Sequence, residues 1–134
     1  MYAVLYEDQK SLSSVRFDHA KECLSAAKSL LLSENYKSAA NRSYYAIFHA
    51  MRAVLVFDDI DLKHHSGLIS EFRRLYIKTG VFPVELSMII SELFDVRTDS
   101  DYDDFFVISK EDVATQIANA ELFLEKVHEY LETK

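Results

Sequence analysis

The scarcity of turn-forming residues constrains the fold more than any other feature of this sequence. Its 134 residues include only two glycines and one proline. The closely spaced turns of a β-sandwich or β-barrel depend on such residues, so the sequence argues against both folds. Hydrophobic residues make up 49% of the chain and charged residues 28%, which is typical of a globular domain. We therefore expect one domain over residues 1–134, with residues 1–12 and 133–134 at its periphery.

Apolar residues recur at steps of three and four along most of the chain, which predicts amphipathic helices. The loops between them are short, and this favours an all-α, antiparallel up-and-down bundle of about five helices. The second helix has apolar residues on more than one side and is expected to be the most buried. Gly80 is placed to end the third helix, and Pro83 fits the first turn of the fourth. The predicted helices cover Ser13–Leu32, Tyr36–Phe57, His65–Lys78, Pro83–Arg97 and a segment that starts at Ser109.

Several classes of protein are excluded by composition. The single cysteine rules out an intramolecular disulfide and a cysteine-based zinc cluster. The first residues lack the basic and then apolar pattern of a secretory signal, and no apolar stretch approaches the roughly 20 residues of a membrane helix. We therefore expect a cytoplasmic protein without membrane association. The formal net charge of −7 argues against binding nucleic acid by bulk electrostatics, although it is compatible with a small cationic cleft.

Arg42 and His49 are the most specific candidates for a catalytic site in the sequence. They are separated by two helical turns, so they share one face of the second helix, and Tyr45 lies on the same strip. Arginine can hold a phosphate through two hydrogen bonds, and histidine can exchange protons near neutral pH. This combination suits phosphodiester chemistry. The alternative is that Arg42 pairs with an acidic residue of another helix while His49 is a hydrogen-bonded core residue.

The region around Thr98–Ile108 is the least regular part of the chain and supplies further candidates. Arg97 and Asp101 are four residues apart and can form an ion pair if the helix persists. Tyr102 is expected either to pack on the bundle or to border a cleft. The aspartates here lack the spacing of a calcium loop, so no metal site is expected. His65 stands at a predicted helix start, where it can pack, form hydrogen bonds or contribute a donor to the cleft.

Four motifs make the chain similar to a known family. NRSYYAIFHAMRAVL resembles the central helix of the HEPN superfamily (higher eukaryote and prokaryote nucleotide-binding domains), whose hallmark is an arginine followed after four to six residues by a histidine. KHHSGLISEF, IKTGVFP and LFDVRTDSDYDDF resemble, in order and spacing, later motifs of a small prokaryotic branch. The resemblance covers the chain from about Val15 onward and implies the same helical bundle.

The resemblance implies a metal-independent endoribonuclease that acts as a homodimer and uses no cofactor. By position, Arg42 would hold the scissile phosphate, and His49 would act as general base or acid. One departure concerns the residue after the arginine, which is often asparagine in nucleases of this family; here Asn41 precedes Arg42 and Ser43 follows it. The residues that we expect to line the cleft or bind substrate are Tyr45, Arg97, Asp101, Tyr102 and His65.

The resemblance also implies partners. A HEPN nuclease of this kind would be the toxin or effector half of a toxin–antitoxin or defence pair, with a small nucleotidyltransferase as possible antitoxin. In some pairs the nucleotidyltransferase silences the nuclease by modifying a tyrosine, for which Tyr45 and Tyr102 are the candidates here. The alternative is a non-catalytic HEPN module that binds nucleotide or docks on a nucleotidyltransferase. The acidic net charge favours this alternative, whereas the presence of His49 favours the enzyme.

Overall fold

The described part of the chain folds into a bundle of five α-helices, as the sequence predicts. The computed structural model describes residues 2–62 and 64–134, with side chains from residue 5 onward. Lys63, which begins the second HEPN-like motif, lies outside the described residues. Within the described ranges no strand is present, and no helix is long and apolar enough to cross a membrane. The helices are α1 (Tyr2–Leu32), α2 (Tyr36–Leu55), α3 (His65–Phe72), α4 (Val84–Tyr102) and α5 (Lys110–Leu131).

Helix α2 lies at the centre of the bundle. It packs against all four other helices, and most of its residues are buried. Its apolar side chains join those of α3, α4 and α5 in the main core, where Phe72 and Phe123 are fully buried. Because α2 is surrounded, the few polar side chains on its remaining strip are held in fixed positions against neighbouring helices.

Helix α1 is longer than the sequence predicts, since it begins at Tyr2 and not near Ser13. Its first turns were missed because Leu5 and Leu12 are exposed and so add no apolar stripe that faces the core. A side-chain hydrogen bond from Gln9 to the Val56 carbonyl, just after α2, helps to hold this segment instead. Further along α1, Ser13 and Arg16 donate to the carbonyls of Ala53 and Arg52, so α1 and α2 run antiparallel.

Two other helix ends differ from the prediction. Helix α3 ends at Phe72, but the chain continues as a π-helical turn over Arg73–Ile77 before Gly80 takes the predicted left-handed conformation, with φ of 79°. Helix α4 continues to Tyr102, through the first part of the segment predicted to be irregular. An ion pair between Arg97 and Asp101 spans this last turn.

The residues at the N-termini of α2, α4 and α5 differ in whether they cap the helix. The Ser109 hydroxyl accepts a hydrogen bond of 3.0 Å from the Asp112 backbone N–H, which confirms the predicted start of α5. Asn35 precedes α2, but its side chain donates to the Ser33 hydroxyl at 2.9 Å and makes no cap. Pro83 stands just before the first residue of α4 and not within its first turn.

Candidate functional site

The strip predicted on α2 is present in the structure. The Arg42 guanidinium lies over the Tyr45 ring at 5.0 Å from its centroid, and the His49 ring centre is 6.3 Å from that of Tyr45. All three side chains are partly exposed. Because α2 is unbroken from Tyr36 to Leu55, its two-turn spacing places Arg42 and His49 on either side of one aromatic ring.

Arg42 carries a charge that no carboxylate neutralises within the described ranges. Its Nε and Nη2 donate to the Asn41 side-chain oxygen at 3.3 and 2.9 Å, and Nη1 lies 3.9 Å from the Cys23 sulfur. The alternative in which Arg42 pairs with an acid of another helix is therefore wrong. Asn41 orients the guanidinium at the edge of an open groove of about 470 Å³, which Ser100 and Asp101 also line. A guanidinium placed in this way can bind an anion.

His49 is held as a neutral imidazole. Its Nδ1 atom is buried and has no hydrogen-bond partner among the described residues, so the ring is not the hydrogen-bonded core histidine of the alternative interpretation. The pKa of His49 is lowered from 6.5 to about 4, mainly because burial disfavours the charged ring and secondly because cationic side chains surround it. In decreasing order of effect these are Arg52, His19, Arg42 and Arg16. At neutral pH the ring can therefore accept a proton.

The pKa of His49 should respond to Arg52, which exerts the largest effect among the neighbouring charges. In Arg52→Gln we expect the pKa to rise from about 4 toward 6.5, measured from the imidazole proton shifts in an NMR titration. Arg74→Gln is the matched control, because Arg74 pairs with Glu71 on the exposed side of α3. An unchanged pKa of His49 in Arg52→Gln would show that the charge of Arg52 does not lower it.

The same pKa shift links His49 to stability. Unfolded chains bind a proton at this histidine below about pH 6.5, whereas the folded chain binds it only below about pH 4. The free energy of unfolding therefore contains a contribution from His49 that falls as the pH drops from 6.5 to 4. We expect His49→Gln to reduce the loss of stability in this window, measured by urea unfolding at pH 7 and pH 4.5. An identical loss in both proteins would contradict this role of His49.

Arg97 connects α4 to this strip. Its Nη2 donates to the Tyr45 hydroxyl at 3.2 Å, and its guanidinium lies 5.7 Å from the ring centres of both Tyr44 and Tyr45. The predicted ion pair with Asp101 is formed, at 3.0 Å between Nε and Oδ2. Tyr45 thus lies within reach of two guanidinium groups, from Arg42 and Arg97. Asp101 neutralises the charge of Arg97, whereas the charge of Arg42 is not neutralised by it.

Tyr102 and His65, two further predicted cleft residues, do not lie on the α2 strip itself. Tyr102 is 80% exposed at the last residue of α4, so the expectation that it packs on the bundle is wrong. The His65 Nδ1 atom shares a hydrogen bond of 2.6 Å with the Tyr44 hydroxyl, and its ring stacks on Phe48 with centres 4.4 Å apart. Burial and, secondly, Arg97 lower the pKa of His65. His65 therefore belongs to the aromatic layer beneath the strip.

Two residues near the site were not among the predicted site residues. The His19 ring, on α1, meets the His49 ring edge-on with centres 5.7 Å apart. Nothing in the sequence of α1 marks His19, because only the packing of α1 on α2 brings the two rings together. Arg52 could have been found from its spacing, since it follows His49 by three residues on the same helix.

No group of three or more histidine, cysteine or carboxylate side chains in the described ranges is placed to hold a metal ion. The candidate site in the described chain is thus built from Arg42, Tyr45 and His49 on α2, Arg97 and Asp101 on α4, and His19 on α1. Its charged groups are mostly cationic, on a protein that is acidic as a whole. Such an arrangement can bind a phosphate and remove a proton next to it.

Comparison with known proteins extends the similarity over most of the chain. The family model described as "HEPN domain" matches residues 13–130. A UPF0332 protein of Thermotoga maritima is 36% identical over 113 residues, which cover 84% of this chain and 86% of that protein. Two proteins of Methanocaldococcus jannaschii, both named "Putative toxin", are 35% and 30% identical, over 87% and 98% of this chain and 80% and 97% of theirs. The similarity therefore includes the α2 strip and all later motifs.

Proposed function

The chain belongs to the HEPN family, and we propose that it is a metal-independent endoribonuclease. One observation carries the proposal: a guanidinium with no carboxylate partner among the described residues and a neutral imidazole flank the same ring on an accessible strip of α2. Cleavage of RNA through its own 2′-hydroxyl needs a group that binds the phosphate and a base that removes the hydroxyl proton. Arg42 and His49 supply these two roles.

In the proposed reaction Arg42 binds the scissile phosphate through two N–H groups and stabilises the charge that develops on it. The neutral His49 imidazole accepts the proton of the adjacent 2′-hydroxyl, whose oxygen attacks phosphorus. A 2′,3′-cyclic phosphate forms, and the bond to the 5′-oxygen breaks. Arg97 holds the Tyr45 hydroxyl and is itself held by Asp101, so these three residues maintain the shape of the cleft.

The protein is proposed to act as a homodimer through an exposed row of apolar residues on α1. Leu5, Leu12 and Val15 are 63%, 44% and 51% exposed. Leu5 and Leu12 repeat with His19 at intervals of seven, so the row lies on one side of α1 and leads to the site. Exposed apolar residues that adjoin a polar site are typical of an interface. A second copy on this row would bring a second Arg42 and His49 close to the first.

The double substitution Leu12→Glu and Val15→Glu is expected to convert the dimer to a monomer, because it places four carboxylates in the interface. Light scattering after size-exclusion chromatography measures the mass directly. Val84→Glu and Met88→Glu form the matched control, since these residues are exposed on α4, whereas α1 packs mainly against α2 and α5. A variant that remains dimeric, or a wild-type protein that is monomeric at micromolar concentration, would contradict this interface.

As part of the same proposal, the protein is the toxin or effector half of a toxin–antitoxin or defence pair. The names of the M. jannaschii relatives support this role.

A nucleotidyltransferase partner could silence the protein by modifying a tyrosine near the cleft. Tyr102 is the more accessible acceptor, because it is 80% exposed, whereas the Tyr45 hydroxyl is engaged by Arg97. Tyr102 follows Asp101, which lines the groove beside Arg42, so a nucleotide there would obstruct substrate.

A second candidate function is a non-catalytic module that binds nucleotide or docks on a nucleotidyltransferase. The net charge of −7 favours it, because an acidic protein repels RNA outside the cleft.

A mixed RNA pool incubated with the purified protein in EDTA distinguishes the two functions. We expect cleavage that leaves 2′,3′-cyclic phosphate ends, its loss in His49→Ala, and normal cleavage by His128→Ala. Equal inactivity of the folded wild type and His49→Ala would favour the binding module.

A further inference from the structure

The two histidines at the α1–α2 contact, His19 and His49, form a pair that the proposed reaction uses only in part. Their ring centres are 5.7 Å apart with an interplanar angle of 73°. His19 is exposed, whereas His49 is half-buried. One phosphodiester group can therefore contact both rings, with His19 on the side open to solvent.

The proposed reaction needs two proton transfers, and His49 provides one of them. A base removes the 2′-hydroxyl proton, and an acid must protonate the 5′-oxygen as it leaves, because an alkoxide is a poor leaving group. His49 is neutral before the reaction, so the ring nitrogen that accepts the 2′-hydroxyl proton carries no proton of its own that it could donate. A second group must supply the proton to the leaving oxygen.

Several other groups around the site are unsuited to this transfer. The guanidinium groups of Arg42, Arg52 and Arg97 stay protonated in proteins. Burial raises the pKa of Tyr44, and it also raises the pKa of the Cys23 thiol, so both hold their protons firmly. His19 is the group in contact with His49 that combines an imidazole, an exposed position and a location on a different helix.

We propose that His19 is the general acid of the site. This inference rests on the proposed ribonuclease function and assigns a role to a residue outside the HEPN-like helix. In the step, the 2′-oxygen forms its bond to phosphorus while its proton passes to His49. The bond between phosphorus and the 5′-oxygen breaks, and the protonated His19 gives its proton to that oxygen. Water then returns a proton to His19 and removes one from His49.

A substrate that needs no acid tests the proposal. In an RNA with a single sulfur in place of the bridging 5′-oxygen at the cleaved position, the leaving group is a thiolate, which departs without a proton. In His19→Gln we expect cleavage of normal RNA to fall by about 10²–10⁴-fold, and cleavage of the sulfur-containing RNA to stay within about threefold of wild type. His49→Ala should slow both substrates, and His128→Gln should slow neither.

The outcomes separate this inference from the function on which it rests. If wild type and His49→Ala behave as expected but His19→Gln cleaves normal RNA at the wild-type rate, His19 is not the acid and the ribonuclease function stands. If His19→Gln slows both substrates equally, the residue supports the site by position only, which also overturns the inference. A folded wild type that cleaves neither substrate would overturn both proposals. Circular dichroism confirms that the variants are folded.

Discussion

Arg42→Ala is expected to slow RNA cleavage by about 10²–10³-fold, because it removes the guanidinium that stabilises the developing charge on the phosphate. Arg42→Lys should recover little of this loss. Lysine carries the same charge, but as a point on a flexible stem it cannot reproduce two parallel N–H donors or the stacking over Tyr45. Single-turnover rates at saturating protein concentration measure the chemical step without the binding step.

Arg74→Ala is the matched control for the loss of an arginine. Arg74 pairs with Glu71 on an exposed surface, so its removal should leave the single-turnover rate unchanged. Full activity of Arg42→Lys would mean that only positive charge is required at this position. Full activity of Arg42→Ala would remove Arg42 from the mechanism and with it the observation that carries the proposed function.

Tyr44→Ala is expected to produce the largest loss of stability among substitutions near the site, about 3–5 kcal/mol. Tyr44 is fully buried at the centre of the aromatic layer, where its ring contacts Phe48 and Phe94 and its hydroxyl bonds to His65. Replacing it with alanine leaves a cavity and an unpaired, partly buried imidazole nitrogen. Urea unfolding at pH 7, with the slope checked for two-state behaviour, measures the change in the free energy of unfolding.

Two further variants separate the contributions of the ring and the hydroxyl of Tyr44. Tyr44→Phe keeps the ring and removes only the hydrogen bond to His65, so it should cost about 1–3 kcal/mol. Tyr102→Ala removes an exposed tyrosine and should change stability by less than about 0.5 kcal/mol. A loss in Tyr44→Phe as large as that in Tyr44→Ala would show that the hydrogen bond, and not the packed ring, holds the layer together.

The bundle was predictable because burial imposes a period on the sequence. Helices α2 and α5 have apolar residues at helical spacing, and these face the core as expected. The start of α1 was not predictable in the same way. Its first turns are held by side-chain hydrogen bonds from Tyr6 and Gln9 to the backbone carbonyls of Lys134 and Val56. Such bonds depend on tertiary packing and leave no periodic signal.

The sequence could predict the relative positions of site residues only where they lie on the same helix. The spacing of Arg42, Tyr45 and His49 places them on one strip of α2 whatever the rest of the fold does. The ion pair between Arg97 and Asp101 follows from local spacing as well. Contacts between helices, such as that of Arg97 with Tyr45 or of His19 with His49, require the relative rotation of packed helices. No single-helix pattern contains that information.

The net charge illustrates why a property of the whole chain is a poor guide to a site. At −7 it favours a protein that avoids nucleic acid. The environment of His49 is nevertheless cationic, since Arg52, Arg42 and Arg16 all lower its pKa. The acidic residues lie mainly on the outer faces of the helices, where they are exposed. Binding at the site therefore depends on the few charges within reach of the ligand.

The central claim is that the protein cleaves RNA through the RNA's own 2′-hydroxyl with His49 as base. Its most direct test compares an RNA oligonucleotide that wild type cleaves once with the same oligonucleotide carrying a single 2′-deoxynucleotide at the cleaved position. Mass spectrometry of the products in EDTA identifies the new ends. The account predicts a 2′,3′-cyclic phosphate from the RNA and no cleavage at the substituted position. Cleavage of the deoxy-substituted strand at that position, or a free 3′-hydroxyl on the RNA product, would contradict it.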